Sequence, residues 1–413
     1  MKDLLKALLL VFCCLSHAVH AAVLEVCSTC SFHRIADAVA AALPYDHISV
    51  LPGTYYENNI RVDKPLDIIG KNFPIVDGDN RGEIFYVTAD DVKIAGLQIQ
   101  NVGVSYTADW AAIKINKSSR VIIANNKLIN TFFGIYLANA SDAIISGNQI
   151  SGTPRAEHNS GNAIHLWYCR NMHVERNISR GHRDGIYLEF VSNSCMEENY
   201  VEGNIRYGLH FMFSDNNEYR NNTFRSNHAG VAVMYSSFIL MTGNRFMDNW
   251  GAASYGLLLK DIRDSNIHHN VFSGNTVGIF AEGTARLHIR ANNFIKNGWA
   301  MKIMSNCEQM LLTENNFISN SFELTTNSNT NYNRYERNFW SKYQGYDLNK
   351  DGVGDVPHNP VDLFTFLVER QPCSIILMRS LFIDLLNLSE RINPMLTPSA
   401  LKDDKPLMKP ATW

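Results

Sequence analysis

The sequence predicts an all-β parallel β-helix, a solenoid of about 22–23 residues per coil. Three observations carry this reading. Ten asparagines recur at nearly constant spacing: Asn126, Asn148, Asn177, Asn199, Asn222, Asn244, Asn270, Asn292, Asn315 and Asn338. Their intervals are 22, 29, 22, 23, 22, 26, 22, 23 and 23. A second series runs in step, from Gly134-Ile-Tyr-Leu137 through Gly185-Ile-Tyr-Leu188 and Gly208-Leu-His-Phe211 to Gly278-Ile-Phe-Ala281, and its alternation reads as short strands with one buried face. Finally, Asn tolerates the left-handed backbone of a tight turn, and stacked amides can bond up and down a ladder. The Asn column is therefore scaffold.

The elements follow in chain order. Lys2 and Lys6, the apolar run Ala7–Leu15 and the small-residue stretch Val19-His-Ala21 read as a secretory signal peptide over 1–21, without a twin arginine. Its apolar run is too short to span a bilayer. The chain carries a net charge of −3, and the leader takes two lysines and one aspartate with it. So balanced a chain is no electrostatic match for nucleic acid. Beyond the leader, Cys27-Ser-Thr-Cys30 is the one close cysteine pair, either a local disulfide in an oxidising compartment or a redox or copper site. Cys169, Cys195, Cys307 and Cys373 are scattered. Residues 31–43 form an amphipathic stripe with Ser31 as the expected N-cap, a helix fit to cap the first open coil.

The β-helix is expected over 22–345. Its two long intervals insert residues around 153–159 and 248–254, loops on one face that are either a binding rim or neutral drift. Asp347-Leu-Asn-Lys-Asp-Gly-Val-Gly-Asp355 then follows the first positions of a calcium loop, with Asp347, Asn349, Asp351, the Val353 carbonyl and Asp355 as ligands. His358 stands where the bidentate Glu belongs, so 346–360 reads as a calcium-stapled turn rather than a standard EF-hand; an ion-free turn is the alternative. After Pro360 the repeat stops, and the solenoid is expected to fold without residues 361–413. Residues 374–392 read as one apolar helix, which either packs on the last coil or docks a partner through Met378, Leu381, Phe382, Leu385 and Leu386. The Pro-containing end, Lys405–Pro410, is extended.

Alternation also picks out the outward-facing residues. One column is His165, Tyr187, His210, Ala232, Leu258, Phe280 and Lys302; the next is Trp167, Glu189, Met212, Met234, Lys260, Glu282 and Met304. Coils stack about 4.8 Å apart, so Met212 and Met234 are rung neighbours with His210 beside them. Thioether and imidazole ligands suit Cu(I), and His210, Met212, Met234, His165 and Glu189 are the candidate copper set. Alternatively the Met and aromatic residues cover an apolar partner surface.

With these residues laid out, the chain resembles the NosD family. The resemblance rests on His182-Arg-Asp-Gly-Ile-Tyr-Leu-Glu-Phe190, Arg206-Tyr-Gly-Leu-His-Phe-Met212, Asn249-Trp-Gly-Ala-Ala-Ser-Tyr-Gly-Leu-Leu-Leu-Lys260, Asn349–Pro357, Gln371–Met378 and Asp404–Met408. It implies a right-handed β-helix, periplasmic and not an enzyme. It also implies an ABC-transporter permease and ATPase, a copper chaperone and nitrous oxide reductase as partners, the membrane being reached only through the permease. The implied role is to supply the reductase's copper centres. The competing reading is a carbohydrate-active enzyme, a lyase or epimerase of acidic polysaccharide, for which Arg183, Asp184 and Glu189 are the best constellation.

Overall fold

The computed structural model describes residues 21–105, 107–153, 156–157, 160–327, 332–378, 380–392 and 401–413. The expected leader lies outside these residues except for Ala21. Three parallel sheets of 14, 12 and 13 strands wrap one continuous core, each strand pairing with its equivalent one coil away. In the 12-stranded sheet Ile135, Ile164, Ile186, Leu209, Val231 and Leu257 are register partners in sequence, all inward and buried. In the 13-stranded sheet Phe246, Phe272, Phe294, Phe317 and Trp340 stack face to face at centroid spacings of 4.5, 4.9, 4.9 and 4.1 Å. Repetition of one apolar ring per coil thus builds a continuous stacked core along these coils.

All ten predicted asparagines are buried and form one ladder. Asn222 donates both its backbone N–H and its Nδ2 to Asn244 Oδ1 at 3.0 Å, and Asn244 repeats this on Asn270. One expectation is corrected. The left-handed residue is the one before each rung, such as Arg176, Glu198, Asn221 and Ala291, not the rung itself. The rung is Asn because its amide closes both the turn and the stack. A second ladder stands five residues on: His182 donates its backbone N–H to Asn204, and Asn204, Asn227, Asn249, Asn275, Asn297 and Asn320 continue the series.

Helix α1, Ile35–Ala41, packs Ile35, Ala38 and Val39 over the first coil. Ser31 does not cap it. The buried Glu57 carboxylate, one coil away, accepts the Ile35 and Ala36 N–H groups at 2.7 and 2.9 Å. Cys27 and Cys30 are joined as a disulfide, the bland reading of that pair.

The C-terminal region differs from expectation in two ways. The single helix expected over 374–392 is divided into a 3-10 turn, Pro372–Leu377, and a helix α3, Leu381–Ile392; a further helix α2, Leu363–Arg370, precedes them. Asp362 caps α2 through the Thr365 N–H at 2.6 Å, and Lys302 of the solenoid bonds Glu369 at 2.9 Å. The end of the chain then returns to the solenoid. Asp403 bridges Tyr335 and Leu407 bridges Phe339 in parallel. The fully buried Asp403 Oδ2 accepts Asn338 N–H at 3.0 Å, Asn338 Nδ2 at 3.1 Å and the Trp340 indole N–H at 3.0 Å. It is the eleventh rung of the ladder, a carboxylate where the others have an amide.

Candidate functional site

The outward columns fall in the predicted register. His165, Tyr187, His210 and Ala232 are successive partners in the 12-stranded sheet, and so are Trp167, Glu189, Met212 and Met234. The candidate copper residues separate into an outer and an inner group. Glu189, Met212 and Met234 are partly exposed. The Tyr187 hydroxyl donates to Glu189 Oε2 at 3.3 Å and to Met212 Sδ at 3.8 Å, so it ties the carboxylate to the thioether. Burial, and then the Glu189 charge, raise the Tyr187 pKa far above its usual value, which keeps that hydroxyl a donor.

The inner group is His165 and His210, which lie on opposite sides of the Tyr187 ring at 4.7 and 4.9 Å. They do not meet directly. His165 also stacks on Tyr136 at 4.6 Å, and burial pushes its pKa down to about 3, so it is a neutral imidazole near pH 7. Both ring nitrogens of His210 are buried without a hydrogen-bond partner, as are Asp184 Oδ2 and Arg183 Nε. His210 Nδ1 lies 3.7 Å from Asp184 Oδ2, and Arg183 Nε lies 3.6 Å from the same oxygen. A cover closes over this cluster. Tyr207 meets the His210 ring at 4.7 Å, Arg206 lies 4.6 Å over Tyr207, and Glu157 of the first inserted loop pairs with Arg206 at 3.3 Å. Arg183 and Asp184 were grouped with Glu189 from sequence, yet Asp184 is fully buried and faces His210 instead.

One surface feature was not read from the sequence. Tyr168, Phe190, Phe213 and Tyr235 directly follow the residues of the Glu189–Met234 column and stack at 4.5, 5.3 and 5.1 Å while remaining exposed. All four hold positive φ, where the flanking coils use Asn139, Asp261 and Gly283. Bulky side chains are costly in that conformation, so the rings are not there for the turn. The periodic aromatic one residue after the column was the available signal.

The calcium-loop residues lie on one exposed turn. The Asp347 carboxylate accepts the N–H groups of Lys350 at 2.6 Å and of Gly352 at 2.9 Å; Asp351 caps Val353 at 2.8 Å, and Asp355 accepts from Leu348 at 2.7 Å. Gly352, the sixth position, has φ +84°. Among the described residues no three His, Cys, Asp or Glu side chains converge as a metal cluster, and Asp351 Oδ2 also accepts from Asn349 Nδ2 at 3.2 Å. His358 bonds Glu323 at 3.1 Å rather than facing the turn. On α3, Leu381, Phe382 and Leu385 are exposed; Met378 and Leu386 instead pack on the cluster of Phe322, Phe364, Val368 and Ile383.

Comparisons with known proteins place the chain. The family model described as periplasmic copper-binding protein (NosD) matches residues 149–345. A "Probable ABC transporter binding protein NosD" of Pseudomonas aeruginosa is 30% identical over 373 residues, 86% of this chain and 86% of that protein. Its counterpart in Stutzerimonas stutzeri is 28% identical over 379 residues, 87% of this chain and 86% of that one. Among solved structures, a Family 28 exopolygalacturonase of Yersinia enterocolitica aligns with TM-score 0.60 at 9% identity over 77% of this chain and 78% of its own. The Streptococcus pneumoniae surface adhesin PfbA aligns with TM-score 0.56 at 11% identity, over 79% and 93%. An enzyme and an adhesin on one solenoid fix the fold and leave the activity open. The extent of the sequence matches decides the relationship: the chain belongs to the NosD family.

Proposed function

We propose that this chain is a periplasmic, non-enzymatic accessory protein that receives or relays copper for the copper centres of nitrous oxide reductase. It works with the permease and ATPase of an ABC transporter and with a copper chaperone. Copper is its cargo. The observation that carries this reading is the pairing of Met212 and Met234 on adjacent coils, with Glu189 in the same column and the Tyr187 hydroxyl on Met212 Sδ. Two thioethers open to solvent beside a partnerless imidazole match what a soft monovalent cation selects. The exposed ring stack borders this site, so a partner seated on the rings lies against the methionines. The double change Met212→Leu and Met234→Leu nearly conserves volume. It should weaken Cu(I) binding in a competition titration by about tenfold or more while the circular dichroism is unchanged. Unchanged Cu(I) affinity would make this face a partner surface only.

Two further parts of the reading concern the C-terminal region. The turn at 347–355 is proposed to hold structural calcium, supported by the ligand spacing and by Gly352 in the left-handed conformation that a sixth position needs. Helix α3 is proposed to dock on the permease through Leu381, Phe382 and Leu385. Leu381 is 74% exposed and Leu385 54%, on a helix whose other face is already packed.

A further inference from the structure

We infer that Asp184 is a positioning residue that fixes the tautomer of His210, so that Nε2 is the nitrogen that meets copper. The inference rests on the copper reading above and adds to it a residue outside the ligand set. Asp184 is held by two hydrogen bonds. Its Oδ1 accepts the Tyr207 N–H at 3.2 Å. Its own N–H donates to Asn162 Oδ1 at 3.3 Å, and Asn162 Nδ2 in turn reaches His165 Nδ1 at 3.0 Å. Oδ2 alone is left over, 3.7 Å from His210 Nδ1, with Arg183 supplying balancing positive charge at 3.6 Å.

A carboxylate oxygen can only accept. At 3.7 Å the contact is longer than a hydrogen bond, so the carboxylate acts through its charge: it favours the proton on the ring nitrogen nearest to it and leaves the other its lone pair. Ligating histidines are oriented by such a carboxylate, which also raises their basicity. The Tyr187 and Tyr207 rings, 4.9 and 4.7 Å away, restrict rotation of the imidazole. On the following coil its register partner is Ala232, the smallest side chain of the column. His210 Nε2 is thus a buried acceptor with no donor, a group that folded proteins rarely leave unmatched.

The test uses the mature protein labelled with 15N-histidine, its His210 signals assigned by their loss in His210→Gln. The native ring should show the Nδ1–H tautomer. In Asp184→Asn the amide oxygen keeps the Tyr207 N–H, so the NH2 group faces Nδ1 and forces the proton to Nε2. Cu(I) affinity should then fall about 10- to 100-fold, as in His210→Gln, with the thermal midpoint near that of the parent. A native Nε2–H tautomer overturns the inference, and that measurement needs no change at Asp184. So does an unchanged Cu(I) affinity in Asp184→Asn when His210→Gln weakens it; in that case the copper reading stands without Asp184. If His210→Gln binds Cu(I) like the parent, the copper role of His210 fails first and the inference goes with it.

Discussion

His182 shows how a single position can depart from the repeat and leave a measurable trace. It occupies a rung of the second ladder, where the following coils have Asn204, Asn227 and Asn249. Its ring is buried, with Nε2 3.1 Å from Thr131 Oγ1 and Nδ1 3.0 Å from the Arg180 carbonyl. Burial pushes its pKa from 6.5 down to about 4. Between these values the unfolded chain binds a proton that the folded chain refuses. Stability therefore falls as pH drops from about 6.5 towards 4, and the group's full contribution is present above that window. The loss is roughly 3 kcal/mol for such a shift. His182→Asn restores the rung type of the ladder and removes this slope. Melting temperatures at pH 4.5 and 7 should differ less in the variant than in the parent, the remaining difference coming in part from His165, pushed down to about 3. An identical drop in both proteins would show that His182 is not the group titrating. The first ladder was legible because its period is stated outright in Asn spacing. The second was equally periodic, but the coils before Asn204 carry Thr131, Thr153 and His182 at the equivalent positions, so residue identity hid what register would have revealed. Asp184 and His210 lie one coil and a few residues apart, an offset that alternation along a single strand does not reach.

At the scale of elements, α3 and the turn at 347–355 are each proposed to do something outside the solenoid. The helix was visible as an apolar stripe, but sequence could not say which side was already taken. Phe322 and Phe364 take Met378 and Leu386, and what remains exposed is Leu381, Phe382 and Leu385, with Leu388 and Ile392 further along the helix. Replacing Leu381 and Leu385 with Asp should abolish co-sedimentation with membranes carrying the transporter and leave the melting temperature within about 1 °C, since exposed substitutions cost little stability. Retained binding would mean that the permease contacts another surface. For the turn, a ligand that binds only the folded state stabilises it by mass action. A calcium chelator should lower the melting temperature of the parent and have no effect on Asp351→Ala. Equal melting with and without chelator, in protein shown free of calcium, would leave an ion-free turn held by Asp347 and its backbone donors.

For the whole molecule, the sequence shows where the repeat stops but not where the solenoid ends. The ladder spacing predicts a rung near residue 361, and none is there. The rung arrives as Asp403, 65 residues after Asn338, with α2 and α3 spliced between, and no periodicity spans that gap. A chain ending at Pro360, expected from the repeat to keep its fold, would lose the acceptor for Asn338 and Trp340 along with the helix proposed to dock. Because a solenoid's repeats contact only their neighbours, damage at one end spreads from that end. Asp403→Ala leaves the buried Asn338 N–H and Trp340 indole N–H without an acceptor, while Asn338 Nδ2 keeps the Leu312 carbonyl; at about 1–3 kcal/mol for each unmatched donor, the last coil should lose at least about 2 kcal/mol. Asp403→Asn keeps one acceptor oxygen for these donors and gives up only the Lys405 N–H bond, so it should cost markedly less. Native-state hydrogen exchange separates the cases. Amides of Tyr332–Glu336 and Phe339–Trp340 should exchange far faster in the Ala variant, while those of Ile144–Ser146 and Ile186–Glu189, many coils away, keep the parent's protection. Uniform acceleration along the whole chain would instead mean that the solenoid unfolds as a single cooperative unit and that Asp403 guards all of it.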